Sequence, residues 1–209
     1  LDLMEAINLM VNEQKRAAIE VNKSASSIKL AIEKIVNYLT ANKTSRLIYV
    51  GAGTSGRIGI QDGVELLPTF NWPKSRLDFI IAGGSDAIFN AIENAEDDIL
   101  YAKRTIDEMS IKSQDVIIGV AASGNTPFTC KILEESKKKN ALTIAISNNP
   151  YGKILEFGVV NIILNTKEEV ISGSTRLKAG TAQKICLNVI SSLVMSQMGH
   201  VKNGEMINL

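Results

Sequence analysis

The sequence predicts an α/β protein: a doubly wound, mainly parallel sheet of five strands, preceded by a helical hairpin. Three observations carry this. Five short, continuous apolar runs rich in β-branched residues suit strands buried on both faces. Segments of helical period separate most of them. Glycine- and serine-rich loops follow the runs, at the strand carboxyl ends where such sheets bind ligands.

Leu3 to Val21 comes first, with Leu3, Ile7, Met10, Val11 and Ala18 at helical spacing. Ser24 to Asn42 repeats the style, with Ile28, Ala31, Ile32, Ile35, Val36 and Leu39 on one stripe. These segments read as a hairpin packed on the sheet or on a second subunit. The strand runs are Leu47–Val50, Leu77–Ala82, Val116–Val120, Leu142–Ile146 and Val159–Leu164. Helices are expected over about 57–67, 86–109, 127–140 and 179–198. A single domain is expected over 1–209, with helices to about residue 43 and the sheet core with its C-terminal helix over 44–209.

Composition excludes several function classes. The 209 residues are 45% apolar and 22% charged, with a net charge of +1. That balance gives no field to attract nucleic acid or a membrane surface. The run Lys137-Lys138-Lys139 suits the solvated carboxyl end of a helix. No apolar stretch reaches the length of a membrane span. Asp2 and Glu5 stand where a signal peptide would be basic, so a cytoplasmic protein is expected. Cys130 and Cys186 fall in helical patterns and read as buried thiols. His200 is the only histidine, which argues against a Ser-His-Asp triad, a Cys-His pair or a zinc cluster. Catalysis would therefore rest on carboxylates, lysines or hydroxyls.

Two loops stand out: Gly51-Ala52-Gly53-Thr54-Ser55-Gly56-Arg57 and Ala121-Ala122-Ser123-Gly124-Asn125-Thr126-Pro127. Glycine lets backbone N–H groups approach an anion, hydroxyls add donors, and the following helix aims its positive end at the same place. On neighbouring strands they describe a phosphate cradle. Gly51-x-Gly53-x-x-Gly56 also fits the dinucleotide fingerprint, but the second strand ends Ala82-Gly83-Gly84, without the acid that holds a ribose. The Gly-Lys-Ser/Thr of a nucleoside triphosphate loop is absent as well.

The segments Val50 to Arg57, Glu65 with Pro68-Thr69-Phe70, Glu93 to Asp98, Ala121 to Pro127 and Gly173 to Lys184 together resemble N-acetylmuramic acid 6-phosphate etherases. These are members of the sugar isomerase (SIS) domain superfamily, and the match runs in order through nearly the whole chain. The resemblance implies an SIS-type sheet and a cytoplasmic homodimer with a shared active site. It implies a lyase that converts N-acetylmuramic acid 6-phosphate to N-acetylglucosamine 6-phosphate and D-lactate, by elimination and then hydration, without metal or redox cofactor. Glu65 and Glu96 map to the acid/base pair, Glu65 as acid to the ether oxygen and Glu96 as base. Thr54, Ser55, Gly56, Ser123, Gly124 and Thr126 are the expected phosphate cradle. Arg57, Asn125 and Lys178 are further substrate contacts, and Lys178 is also a possible Schiff-base lysine. Phe70, Trp72, Met195 and Met198 read as core. The chain departs from the family at Leu66-Leu67-Pro68, where Cys-Pro-Pro is usual, at Asp62-Gly63-Val64, where Asp-Ala-Ser is usual, and at Asn125, where arginine is usual. Family members also continue past the point matching Leu209. A phosphosugar aldose–ketose isomerase and a non-catalytic phosphosugar sensor remain as alternatives.

Overall fold

The computed structural model describes residues 1–207, so the last two positions of the expected domain, 208 and 209, lie outside the described residues. Helix α1 (Leu3–Lys23) opens on a capping box, in which Asp2 accepts from the Glu5 amide and the Glu5 carboxylate accepts from the Asp2 amide. Only Ser24 separates it from α2 (Ala25–Ala41). The two expected N-terminal helices are present and join at Ser24, whose hydroxyl donates to the carbonyl of Ile163 at 2.6 Å.

The core elements follow as β1 (Leu47–Gly51), α3 (Gly53–Val64), the short α4 (Leu66–Phe70), β2 (Leu77–Ile81), α5 (Ile99–Glu108), β3 (Val116–Ala121), α6 (Pro127–Lys138), β4 (Leu142–Ser147), β5 (Val160–Ile163) and α7 (Lys178–Gln197). A small antiparallel pair, β6 (Val201–Lys202) and β7 (Glu205–Met206), ends the described chain. The sheet is parallel throughout, in the order β2-β1-β3-β4-β5. The chain reverses its winding between β1 and β3, and a crevice opens at their carboxyl ends. Both Ser-Gly loops leave the sheet there.

Every residue of β1, β3 and β4 is buried, as continuous apolar runs require. The edge strand β5 alternates buried and exposed instead. Period-two alternation splits the strands between two cores. Tyr49, Ile118 and Ile144 pack with residues of α2 and α7, whereas Ile48, Val50 and Ile117 pack with residues of α5 and α6. Each buried isoleucine contributes roughly 1.5–3 kcal/mol through its removal from water. Trp72 is fully buried, and its indole N–H donates to the Arg76 carbonyl at 3.1 Å.

The helix expected over 86–109 is half loop. Two 3-10 turns, Ser85–Ile88 and Ala95–Asp97, precede α5, which starts only at Ile99. Asn94 adopts a left-handed conformation (φ 58°), which breaks any helix, and Asp98 then caps α5 by accepting from the Tyr101 amide. Among the described residues no helix is long and apolar enough to cross a membrane.

Candidate functional site

Three helices begin at the carboxyl edge of the sheet, and their positive ends share one region. Helix α3 starts inside the first loop, at Gly53, so Thr54, Ser55, Gly56 and Arg57 form its first turns. Helix α6 starts after Thr126 with Pro127 in its first turn. Helix α7 is brought to the same edge by Asn148, after β4. The Asn148 amide nitrogen donates to the carbonyls of Leu164 and Ala179 and to the Thr166 hydroxyl, and its oxygen accepts from Gln183 at 2.8 Å. Gly180 lies beside Thr54 and Ile58, so α7 and α3 start side by side.

The second loop is held tightly. Gly124 has a φ of +70°, and the Ser123 hydroxyl accepts from the Asn125 amide at 3.1 Å. The Asn125 side-chain oxygen accepts from the Lys153 amide at 2.9 Å, which ties this loop to the one after β4. Gly152 in that loop faces Gly124 so closely that a Cβ on Gly124 would lie 2.5 Å from the Gly152 Cα. Thr126 makes no side-chain capping bond to its helix.

The two glutamates are placed very differently. Glu96, in the 3-10 turn 95–97, lines a cavity of about 240 Å³ together with Gly53, Arg57, Asn90 and Glu93. That cavity sits against the start of α3. Glu65 is exposed and follows the last residue of α3. Twelve helical residues span about 18 Å, so within one chain Glu65 stands a helix length from the first loop. A larger cavity, about 790 Å³, lies between α1, α2 and α7, away from these loops.

Asp62, one turn before Glu65, is buried and accepts three hydrogen bonds: from the Tyr49 hydroxyl at 2.8 Å, the Asn188 amide at 2.7 Å and the Ser191 hydroxyl at 3.0 Å. The carboxylate is thereby satisfied without a cation, and it locks the end of α3 to β1 and α7. Burial, then the Asp62 charge, pushes the Tyr49 hydroxyl well above its usual value. Burial also holds both cysteines protonated, Cys130 raised to about 11 and Cys186 to about 12.

Lys178 has a buried ammonium, 1% exposed, that donates to Glu13 of α1 at 2.6 Å and to the Glu168 carbonyl at 2.8 Å. Glu169 caps α7 beside it, accepting from the amides of Lys178 and Ala179. The hydrogen bond from Lys178, and then its charge, lower the Glu13 carboxyl below the usual 4.5 against the opposing effect of burial. A carboxyl depressed in the folded state stabilises the fold above its unfolded pKa, and that contribution is lost as pH falls through the folded value. The Glu13→Gln variant should therefore unfold several degrees below the native protein at pH 7. The gap should close as the pH falls below 4.5, as read by thermal unfolding across a pH series.

The structure thus brings together Thr54, Ser55, Gly56, Arg57, Ser123, Gly124, Asn125, Thr126 and Glu96 around the switch point. Lys178 starts α7 at the same edge, with its charge already paired to Glu13, and Glu65 lies apart. Sequence reasoning missed Glu169 and Gly152, and it placed the loop of Asn148 at the strand ends without a role for that side chain. No motif marks them, because each acts on residues far along the chain or through backbone.

Residues 29–137 match the glucokinase regulatory protein N-terminal SIS domain, and residues 99–192 match the SIS domain. The phosphoheptose isomerase of Francisella tularensis has the same fold, with a TM-score of 0.71 at 18% identity over 94% of this chain and 100% of that one. N-acetylmuramic acid 6-phosphate etherases are nearer in sequence. That of Clostridium acetobutylicum is 42% identical over 100% of this chain and 67% of its own length. That of Deinococcus radiodurans is 42% identical over 97% of this chain and 66% of its own length. The chain belongs to the N-acetylmuramic acid 6-phosphate etherase family. It spans about two thirds of the length of these etherase relatives. All the loops just described fall within the stretch shared with the etherases.

Proposed function

We propose that the protein is a lyase that cleaves the D-lactyl ether of N-acetylmuramic acid 6-phosphate. The observation that carries this reading is the cavity in which Glu96 meets the first loop and Arg57, at the positive end of α3. A 6-phosphate held by the two Ser-Gly loops would accept hydrogen bonds from their amides and from the Ser55, Ser123 and Thr126 hydroxyls. The open-chain sugar then extends toward Glu96. Its aldehyde acidifies the C2 proton, which the Glu96 carboxylate takes. As the C3–O bond breaks, a carboxylic acid protonates the departing lactate oxygen, leaving a C2–C3 double bond. Water adds at C3, and the proton returns to C2.

Glu65 is the family's candidate for the acid, and one chain holds it a helix length from the cradle. We therefore assign Glu65 to the site of a second copy in a homodimer. Apolar residues for such an association are at hand, since Leu3, Ile7 and Val11 of α1 are exposed at helical spacing. Incubation with N-acetylmuramic acid 6-phosphate should release D-lactate and N-acetylglucosamine 6-phosphate in equal amounts, measured with D-lactate dehydrogenase. A folded, dimeric sample that releases no lactate would overturn the proposal. Conversion of a phosphosugar without lactate would favour an isomerase, and binding without turnover would favour a sensor.

A further inference from the structure

Arg57 has an occupation other than the substrate contact expected from its place in the first loop. Its Nε–H is shared between the carbonyls of Ala87 and Ile88, both at 3.0 Å, and Nη2 donates to the carbonyl of Asn90 at 2.8 Å. These three acceptors sit at the end of one 3-10 turn and at the entrance to the stretch that leads to Glu96. That stretch needs an external hold. Ala91, Ile92, Glu93 and Asn94 are all exposed, and the turn that bears Glu96 is a single 3-10 turn entered through a left-handed asparagine.

We propose that Arg57 is a positioning residue: it straps the 86–96 segment to the first turns of α3 and thereby fixes Glu96 relative to the phosphate cradle. The geometry suits arginine in particular. A planar guanidinium presents several N–H groups in fixed directions to carbonyls spread along a chain, whereas an ammonium acts as a point charge. Arg57 also follows Ser55 by two residues on one helix. Phosphate and base are thus both referenced to the same rigid turn, and an ångström of slack between them would cost turnover rather than binding. The inference rests on the reading of Glu96 as the base.

The test compares Arg57→Lys and Arg57→Gln with the native protein, after thermal unfolding has confirmed that each is folded. Both variants should lower kcat by about 30-fold or more, with KM and the affinity for N-acetylglucosamine 6-phosphate changed by no more than about twofold. Amide hydrogen exchange across 87–97 should rise about tenfold or more, with β1 and β3 unaffected. A loss of affinity rescued by lysine would overturn the proposal, because it would mark Arg57 as a phosphate ligand. Unchanged exchange across 87–97 would also overturn it. If the native protein released no lactate, the etherase reading would fall, yet the exchange and binding measurements would still decide what Arg57 does.

Discussion

Glu65→Gln and Ser123→Asp, each inactive alone, should regain about a quarter of native activity when co-expressed in equal amounts. Glu65→Gln removes the proposed acid and should lower kcat by roughly 10³-fold while leaving phosphosugar binding intact. Ser123→Asp places a carboxylate where the phosphate would sit, and like-charge repulsion should raise KM by roughly 100-fold or more. Ser123 is exposed, so the fold tolerates the change. If Glu65 serves the partner's cradle, half the dimers are mixed, and each mixed dimer has one intact site out of two. If Glu65 serves its own chain, every site in the mixture carries a defect and no activity returns. Glu96→Gln mixed with Ser123→Asp should stay silent, because Glu96 and the cradle belong to one chain.

The contrast between the two glutamates marks where sequence reading reaches its limit. The strands were legible because a parallel sheet buries both faces and writes an unbroken apolar run, as in Val116–Val120. The two loops were legible because glycine beside serine at a strand end has a local physical meaning. The stretch 86–98 was not, because apolar residues at helical spacing can equally line a loop, and Asn94 was free to turn left-handed. The hydrogen bonds of Arg57 were not legible, because a sequence gives no reach for a side chain and its acceptors are 30 and more residues away. The distance of Glu65 from the cradle follows from which end of α3 it occupies. Helical geometry makes that plain only once the start of α3 is placed at Gly53 rather than at residue 57.

Gly124→Ala should abolish phosphosugar binding and cost about 3 kcal/mol of stability in urea unfolding, with the m-value unchanged. Two effects add. The φ of +70° strains any residue with a Cβ, and the new methyl would meet both the Gly152 Cα and the Ser147 Oγ at 2.5 Å, the first being backbone that cannot swing aside. A Cβ on Gly152 would in turn lie 2.6 Å from the Gly124 Cα, so neither loop has room to yield. Gly173→Ala is the control. Its φ is +77°, but nothing lies within 4 Å of the added atom, so only backbone strain of roughly 1–2 kcal/mol is expected. The excess loss at Gly124 reports the contact between the two loops, and with it the rigidity of the cradle.

The pairing of Glu13 with Lys178 joins residues 165 positions apart, and it has a consequence for how the chain is made. During synthesis α1 leaves the ribosome well before α7, the helix it packs along. Helix α1 must wait, without that packing, until α7 has emerged. The packing of α1 on α7 is thus a late event that joins segments far apart along the chain. A chain stopped short of residue 178 would carry a first helix with no α7 to pack along.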